Sequence, residues 1–397
     1  MLQSAPATAD KVRLRASELR PGMYVCDIDR PWLETPFLLQ GFEVKNDTDI
    51  RAVMEHCRFV QVDLRRTKSR QPSSAANLGG KAMATAEATR RQTSDLLKTF
   101  LDEIAFGHSP DMRTAKSAVA GCVSRVVGNP EAMMFLTRLR GKGEQAGQQA
   151  FNVCVYAIVL GRLAGLEYDK LENLGTAALL HDMGVVGIPD PVLNKRGKFN
   201  EEERAVMQTH ARMGRDILMS GRNIFSGAVD VAYAHHENLD GTGYPRGLHG
   251  HQINLNSKIV AVVDKYDALV SHTPYRPAKD HLSAVATLNK MARDNKIDKD
   301  LVDLFVSYLG IYPPGCVVEL NSGEVGIVLE SNPAEKLKPK VMVLRDADQQ
   351  PTQRLVDWSK KAAGGRGGHC RIARVCKPGD FGIEVGQYYK EILQAYH

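Results

Sequence analysis

Four histidines and two aspartates in the middle of the chain have the types and spacing of a metal centre: His181-Asp182, a lone His210, His235-His236 followed by Glu237, and Asp264. His181 trails Leu171, Leu174 and Ala178 at helical spacing. His210 lines up with Val206, Met207, Met213 and Ile217, and Asp264 shares a face with Ile259, Val260 and Ala268. The pattern predicts that nearly all of them lie on apolar helical faces. A charged or half-protonated side chain buried there is costly unless an opposite charge compensates it. A lone histidine on such a face is ordinarily a hydrogen-bonded core residue, and a His-His pair beside a carboxylate can be a solvated helix end. Six such groups on successive helices, one pair followed by a glycine-rich loop, are better explained together by a bound cation.

Adjacent residues on a helix point about 100° apart, so His181 and Asp182 can serve two ions, or one ion and its bridging group. A carboxylate can bridge two divalent ions while lowering their mutual repulsion, which makes Asp182 the candidate bridge. His235 and His236 offer the same splayed pair at the end of another helix. Imidazole and carboxylate donors without a thiolate admit iron, manganese or zinc. Two such ions about 3.5–4 Å apart polarise a phosphoryl group and supply hydroxide near neutral pH. Phosphodiester hydrolysis is the reaction that most needs both effects.

The elements that must position these groups follow from the pattern around them. From about 81 to 315 the periodicity is helical almost throughout. Before it, residues 11–65 read as a small α/β domain, with strands in VRLR, MYVCDID, FLLQGFEV and RFVQVDL, a turn at Pro21-Gly22 and a helix capped near Asn46–Asp49 that runs to Cys57. Residues 66–80 are polar and rich in Ser, Gly and basic residues, as a linker is. Residues 316–397 read as a β-rich module, with strands in CVVEL, GEVGIVLE and KVMVLRD, a hairpin turn at NSGE and a glycine-rich spacer at 362–368. The fold class expected is mainly α, a helical bundle carrying the metal site between two small strand-bearing parts.

The 397 residues allow two or three domains, and 43% hydrophobic with 25% charged content is that of a soluble globular chain. A net charge of +6 with no basic helix or aromatic-basic platform gives no reason to expect nucleic acid. No run long and apolar enough for a membrane span is present, and the N-terminus lacks the apolar core of a signal peptide. Seven scattered cysteines without a CxxC pair argue against a disulfide framework. Cys370 and Cys376 beside His369 read as free thiols rather than a zinc site. The chain is expected in a reducing cytoplasm.

The segments HDMGVVGIPD, HARMGRDIL, HHENLDGTGYPRGL and VVDKYDALVSHTPYRPA resemble the HD-GYP phosphodiesterases, a branch of the HD metal-dependent phosphohydrolases that degrades cyclic di-GMP. The resemblance covers about residues 145–315 and includes Gly243-Tyr244-Pro245 at the family's distance from the HHE motif. Residues 11–65 are similar to a small domain that often precedes such modules, and the trailing β-rich piece also occurs with them. The resemblance implies an HD-type bundle and a hydrolase that opens cyclic di-GMP with metal-bound hydroxide to pGpG or GMP. It implies two divalent ions, iron or manganese with zinc as an alternative, held by His181, Asp182, His210, His235, His236, Asp264 and the position of Gln149. Asp182 and His181 would form the catalytic pair. Gly241, Gly243, Tyr244 and Pro245 would make the loop at the pocket mouth, which also offers a surface to diguanylate cyclase or other signalling partners. Arg276 stands where the family places a basic residue for the substrate phosphate. The resemblance leaves room for a homodimer.

Four positions depart from the family pattern. Gln149 replaces the first metal-binding histidine and offers only a neutral carbonyl oxygen, a poorer ligand than imidazole. Gln145 replaces the glutamate one turn earlier that goes with a third ion. Val185 replaces a lysine, and Thr273 an arginine, each removing a cation near the phosphate. The reading is therefore a cyclic di-GMP phosphodiesterase with weakened activity. The alternatives are a catalytically impaired cyclic di-GMP sensor or docking module, and a phosphohydrolase for another nucleotide.

Overall fold

In the computed structural model the chain is mainly helical, with one small sheet before the helices and another after them. The structure describes residues 11–63, 80–106, 112–138, 145–272, 277–358 and 371–388, apart from 17–18, 20–22, 33–34, 36, 38–40, 45–46, 222, 224, 333–334 and 384 within those spans. Most of the expected linker, Pro21-Gly22, Thr273, Arg276, the spacer at 362–368, His369 and Cys370 lie outside the described residues.

The N-terminal sheet contains β1 (Lys11–Arg15), β2 (Tyr24–Ile28), β3 (Phe42–Glu43) and β4 (Phe59–Asp63), with α1 (Asp47–His56) between the last two; the strand order is β1-β4-β2-β3 and every pairing is antiparallel. Alternation in RFVQVDL puts Val60 and Val62 inward, where they join Leu14, Val25 and Val53 in a core of their own. β3 is much shorter than FLLQGFEV suggests. Gly41, at a φ of +102°, turns the chain just before it, and a Cβ there would sit 2.9 Å from the Tyr24 hydroxyl.

The helices are α2 (Gly80–Ala105), α3 (Met112–Gly128), α4 (Pro130–Leu136), α5 (Gln145–Leu163), α6 (Tyr168–Leu179), the single turn α7 (Asp190–Leu193), α8 (Glu201–Gln208), α9 (His210–Ser220), α10 (Ser226–Ala234), α11 (Leu255–Val270), α12 (His281–Arg293) and α13 (Lys299–Leu309). α5 is apolar on every side from Val153 to Leu160 and is buried all round, packed by α2, α3, α6 and α11. Local capping sets several boundaries: Asn200, Asn254, Asp280 and Asp298 each accept a backbone N–H from the first turn of α8, α11, α12 and α13.

The C-terminal sheet runs β8-β7-β6-β5-β9, from β5 (Val317–Leu320), β6 (Val325–Glu330), β7 (Lys340–Arg345), β8 (Pro351–Val356) and β9 (Ile372–Val375). Val325, Ile327, Leu329, Met342 and Leu344 enter the helical core, while Val318, Leu320, Val328, Val341 and Val343 build a second core on the other face. Both faces of β6 are thus covered, which is why GEVGIVLE reads as an unbroken apolar run. At the other end of the molecule, Arg15 of β1 reaches Glu172 of α6 at 2.8 Å and lies over the Tyr168 ring, and Val127 packs against both the N-terminal and the helical core.

Candidate metal centre

His181 and Asp182 are not on a helix face, contrary to the periodicity. α6 stops at Leu179, and the pair occupies the turn that leads into a 3-10 segment, Met183–Gly187. The reason is a close approach. Gly184 packs so tightly on the start of α9 that a Cβ there would lie 1.9 Å from the carbonyl oxygen of His210 and 2.4 Å from the amide of Gly214. Continuing α6 would destroy that contact. Gly184→Ala is therefore expected to cost about 3 kcal/mol or more, read as the shift in a denaturant midpoint. A midpoint equal to that of the natural protein would mean α9 can move aside freely.

The other donors arrive from three helices. His210 opens α9, His235 caps the end of α10 with His236 just beyond it, and Asp264 sits in the middle of α11. One oxygen each from Asp182 and one nitrogen each from His210, His235 and His236 lie within 4.8 Å of one another, a set able to hold a metal ion. His181 and Asp264 stand next to it: His181 Nε2 is 3.6 Å from Asp264 Oδ1 and 4.0 Å from Asp182 Oδ2. Asp182 divides its oxygens, with Oδ1 toward His210 at 3.2 Å and His235 at 3.8 Å, and Oδ2 toward His181. Gln149, from the first half of α5, reaches the same place, its Nε2 3.4 Å from Asp264 Oδ1.

The tautomers point to a cation. The Nδ1 atoms of His181, His210 and His235 face backbone carbonyls, Ala178 O and Met207 O at 2.7 Å and Val231 O and Ala232 O at 3.1 Å. A carbonyl only accepts, so each Nδ1 carries a proton, and the Nε2 of a ring that holds no second proton turns its lone pair inward. The Nε2 atoms of His210 and His235 then face each other at 3.4 Å with no proton between them. His181 Nε2 and Asp182 Oδ1 are buried without a hydrogen-bond partner. Lone pairs and carboxylate oxygens aimed at one another in this way repel until a positive ion stands between them. The residues fit a divalent metal.

Electrostatics agree. Burial, with positive charge on neighbouring rings, pulls His235 down to about 3 and His236 well below the usual histidine range, so both are neutral donors at physiological pH. Burial also works against charge on His181, but the carboxylates of Asp264 and Asp182 outweigh it and hold this ring up at about 9. A proton on His181 and a metal ion compete for the same lone pair. Asp264 is held far below the usual carboxylate range despite its burial, by His181 and the other rings.

The GYP loop closes over this centre. Glu237, 2% exposed, accepts the backbone N–H groups of Arg246 and Leu248 at 2.8 and 2.9 Å, holding the chain that leaves Pro245. Gly243 lies against the chain it folds over, where a Cβ would be 2.2 Å from the Asn238 amide, and Gly241 has a φ of +79°. Tyr244, joined to Pro245 by a cis peptide, stacks on His236 with ring centroids 4.7 Å apart. Of the loop residues, Tyr244 meets the His/Asp cluster directly, against His236 and His210, while Val185 lies in the 3-10 segment after Asp182. Two features of this neighbourhood escape a reading by motif. One is the clamp by Glu237. The other is a buried polar line, Arg90–Gln148–Asn152–Asp267, bonded at 2.9, 2.7 and 2.8 Å, that ties α2 and α5 to α11. The only sequence signal for that line is the helical spacing of Gln148 with Asn152 and of Asp264 with Asp267.

A helical domain with a His/Asp cluster of this type defines an HD-domain protein, and the chain matches the family model described as HD domain over residues 133–301. Residues 11–115 match a domain of unknown function, and 317–363 a KOW domain associated with HD domain. A cyclic di-GMP phosphodiesterase of Pseudomonas aeruginosa is 31% identical over 88% of this chain and 89% of its own length. A cyclic di-GMP phosphodiesterase response regulator of Xanthomonas campestris is 46% identical over 31% of this chain and 33% of its own. Among solved structures, an HDG"Y"P protein from Bdellovibrio bacteriovorus aligns with 76% of this chain and 99% of its own at a TM-score of 0.49 and 16% identity. The chain belongs to the HD-GYP family. HD-domain phosphohydrolases bind divalent metals, and the cluster supplies the donors for one. Among the described residues no helix is long and apolar enough to cross a membrane.

Proposed function

We propose that the protein is a metal-dependent phosphodiesterase that hydrolyses cyclic di-GMP. The observation that carries this reading is the division of Asp182, one oxygen toward His210 and His235 and the other toward His181. It supports a reading in which Asp182 with His210, His235 and His236 would hold one ion, and His181, Asp264 and Gln149 would supply donors for a second. The substrate follows from the relative that matches nearly the whole chain and carries that activity in its name. When bound, divalent iron or manganese, with zinc as the alternative, supplies electrophilic activation of the phosphodiester and a water acidified to near-neutral pH. The chain's own part is positional. Backbone carbonyls fix the imidazole tautomers, Asp182 and Asp264 balance the charge, and Tyr244 on His236 walls the pocket against water. In the reaction one P–O bond to a ribose oxygen breaks, water adds its oxygen to phosphorus, and the released alkoxide takes the proton, giving linear pGpG or, after a second round, GMP.

A second reading, a cyclic di-GMP sensor or docking module, is favoured by Gln149, whose amide nitrogen faces Asp264 where a stronger ligand would stand. Elemental analysis after anaerobic purification, together with chromatography of cyclic di-GMP incubated with the protein, separates the two. The expected result is near-stoichiometric transition metal and conversion to pGpG or GMP. Metal without turnover would favour the sensor. Less than about 0.2 equivalents of metal would sink both ion positions, because folded sites of this kind bind near stoichiometry.

A further inference from the structure

α5 packs on α11 beside the metal centre, and two polar rungs one helical turn apart join them. Gln149 Nε2 lies 3.4 Å from Asp264 Oδ1, and Asn152 Nδ2 donates to Asp267 Oδ1 at 2.8 Å. The step is three residues on each helix, so both rungs belong to one register. Only the first rung contains donors for a metal. The second is shut inside, with Asn152 4% and Asp267 1% exposed. It is also fixed from the outside inward. Gln148, one turn before Asn152, donates from Nε2 to Asn152 Oδ1 at 2.7 Å, and its Oε1 accepts from Arg90 Nη1 of α2 at 2.9 Å. Arg90 is itself held by the two oxygens of Glu87, at 2.8 and 2.9 Å. A guanidinium only donates and a carboxylate only accepts, so a single orientation of the two amides keeps every bond. Turning either amide over would set buried donors and acceptors against their own kind. The rung at Gln149 is longer, and Gln149 brings no charge to it.

We propose that Asn152 is a positioning residue for the second ion: its bond to Asp267 sets the register of α5 on α11 and so keeps Gln149 opposite Asp264. This rests on the two-ion reading above. Asn152 is a ligand to neither ion. It acts through the helix that carries Gln149, as groups bonded behind a metal's ligands tune its affinity. The ion it affects is the weaker of the two. Asp182 with three imidazoles would grip the first, whereas the second would have His181, Asp264 and a neutral amide oxygen.

The test is manganese titration of the whole chain followed by electron paramagnetic resonance, which counts bound ions and ranks their affinities. Asn152→Leu nearly keeps the volume but removes both bonds. The exchange of Asn152→Asp together with Asp267→Asn restores them, because the carboxylate now at position 152 accepts from Gln148 and from the amide now at position 267. Asn152→Leu is expected to weaken the second ion by about tenfold or more and to leave the first within about threefold. The exchange should bring both ions back within about threefold of the natural protein. A residue that only supports the fold would lower the melting temperature and weaken both ions alike, so that result overturns the assignment. An exchange variant as weak as Asn152→Leu would overturn it too. Should Asn152→Leu not fold, Asn152→Asp alone, which sets two carboxylates face to face, is compared with the exchange by the same criteria. Two ions in the natural protein, bound equally well by Asn152→Leu, would discard the assignment alone. A single ion in the natural protein would discard the second position and the assignment with it.

Discussion

Asp182→Asn is expected to lower turnover of cyclic di-GMP by roughly a thousandfold or more, about 4 kcal/mol in the barrier, and to release at least half of the bound metal. The shape of the side chain is nearly unchanged, so the loss isolates its charge and its capacity to offer both oxygens. In the structure Oδ1 lies 3.2 Å from His210 Nε2 and Oδ2 lies 4.0 Å from His181 Nε2. An asparagine can present one oxygen to one side only, and its amide nitrogen would face the other ring or ion. Neutralising this carboxylate also removes half of the negative charge that Asp182 and Asp264 together place against two divalent ions. Steady-state assay and elemental analysis of the same preparation check the result. Full metal content with natural turnover would show that Asp182 is a bystander and that the histidines alone hold the centre.

The second large effect concerns the loop. Glu237→Ala should destabilise the protein by about 3 kcal/mol, because two backbone N–H groups, those of Arg246 and Leu248, lose a charged acceptor at once. Glu237→Gln should cost about half as much, since the amide oxygen can still accept from one of them. Activity should fall together with stability, for the turn that Glu237 holds carries Tyr244 onto His236. Chemical denaturation of the three proteins gives the comparison. A Glu237→Ala midpoint matching the natural one would mean that water replaces the carboxylate without loss and that the clamp is ornamental.

Much of this arrangement was legible in the residues before any coordinates. The apolar periodicity of α11 placed Asp264 inside, and the alternation of β1 and β4 and the glycine of the Asn321–Glu324 turn, at a φ of +85°, placed the strands. These are local signals, written in neighbouring residues. What stayed hidden is set by partners distant in the chain. The break that lifts His181 and Asp182 off α6 depends on Gly184 meeting the carbonyl of His210, and periodicity alone extends the helix through it. Glu237 follows His235-His236 with no local sign of its role, and its carboxylate is turned to two backbone amides. β8 and β9 have largely exposed faces, so the hydrophobic pattern that located β5 to β7 did not reach them.

The way the C-terminal sheet lends one face to the helical core has a thermodynamic consequence. Val325, Ile327 and Leu329 share a single apolar cluster with α5, so separating sheet from helices would expose both sides of that contact to water. The two parts therefore form one cooperative unit with a common melting transition, and a cut between α13 and β5 would leave neither half with a closed interior. The N-terminal sheet has a core of its own and meets the helices through Val127 and through Arg15, on Glu172 and the Tyr168 ring, so it has the makings of a separate transition, free to loosen while the helical bundle stays folded.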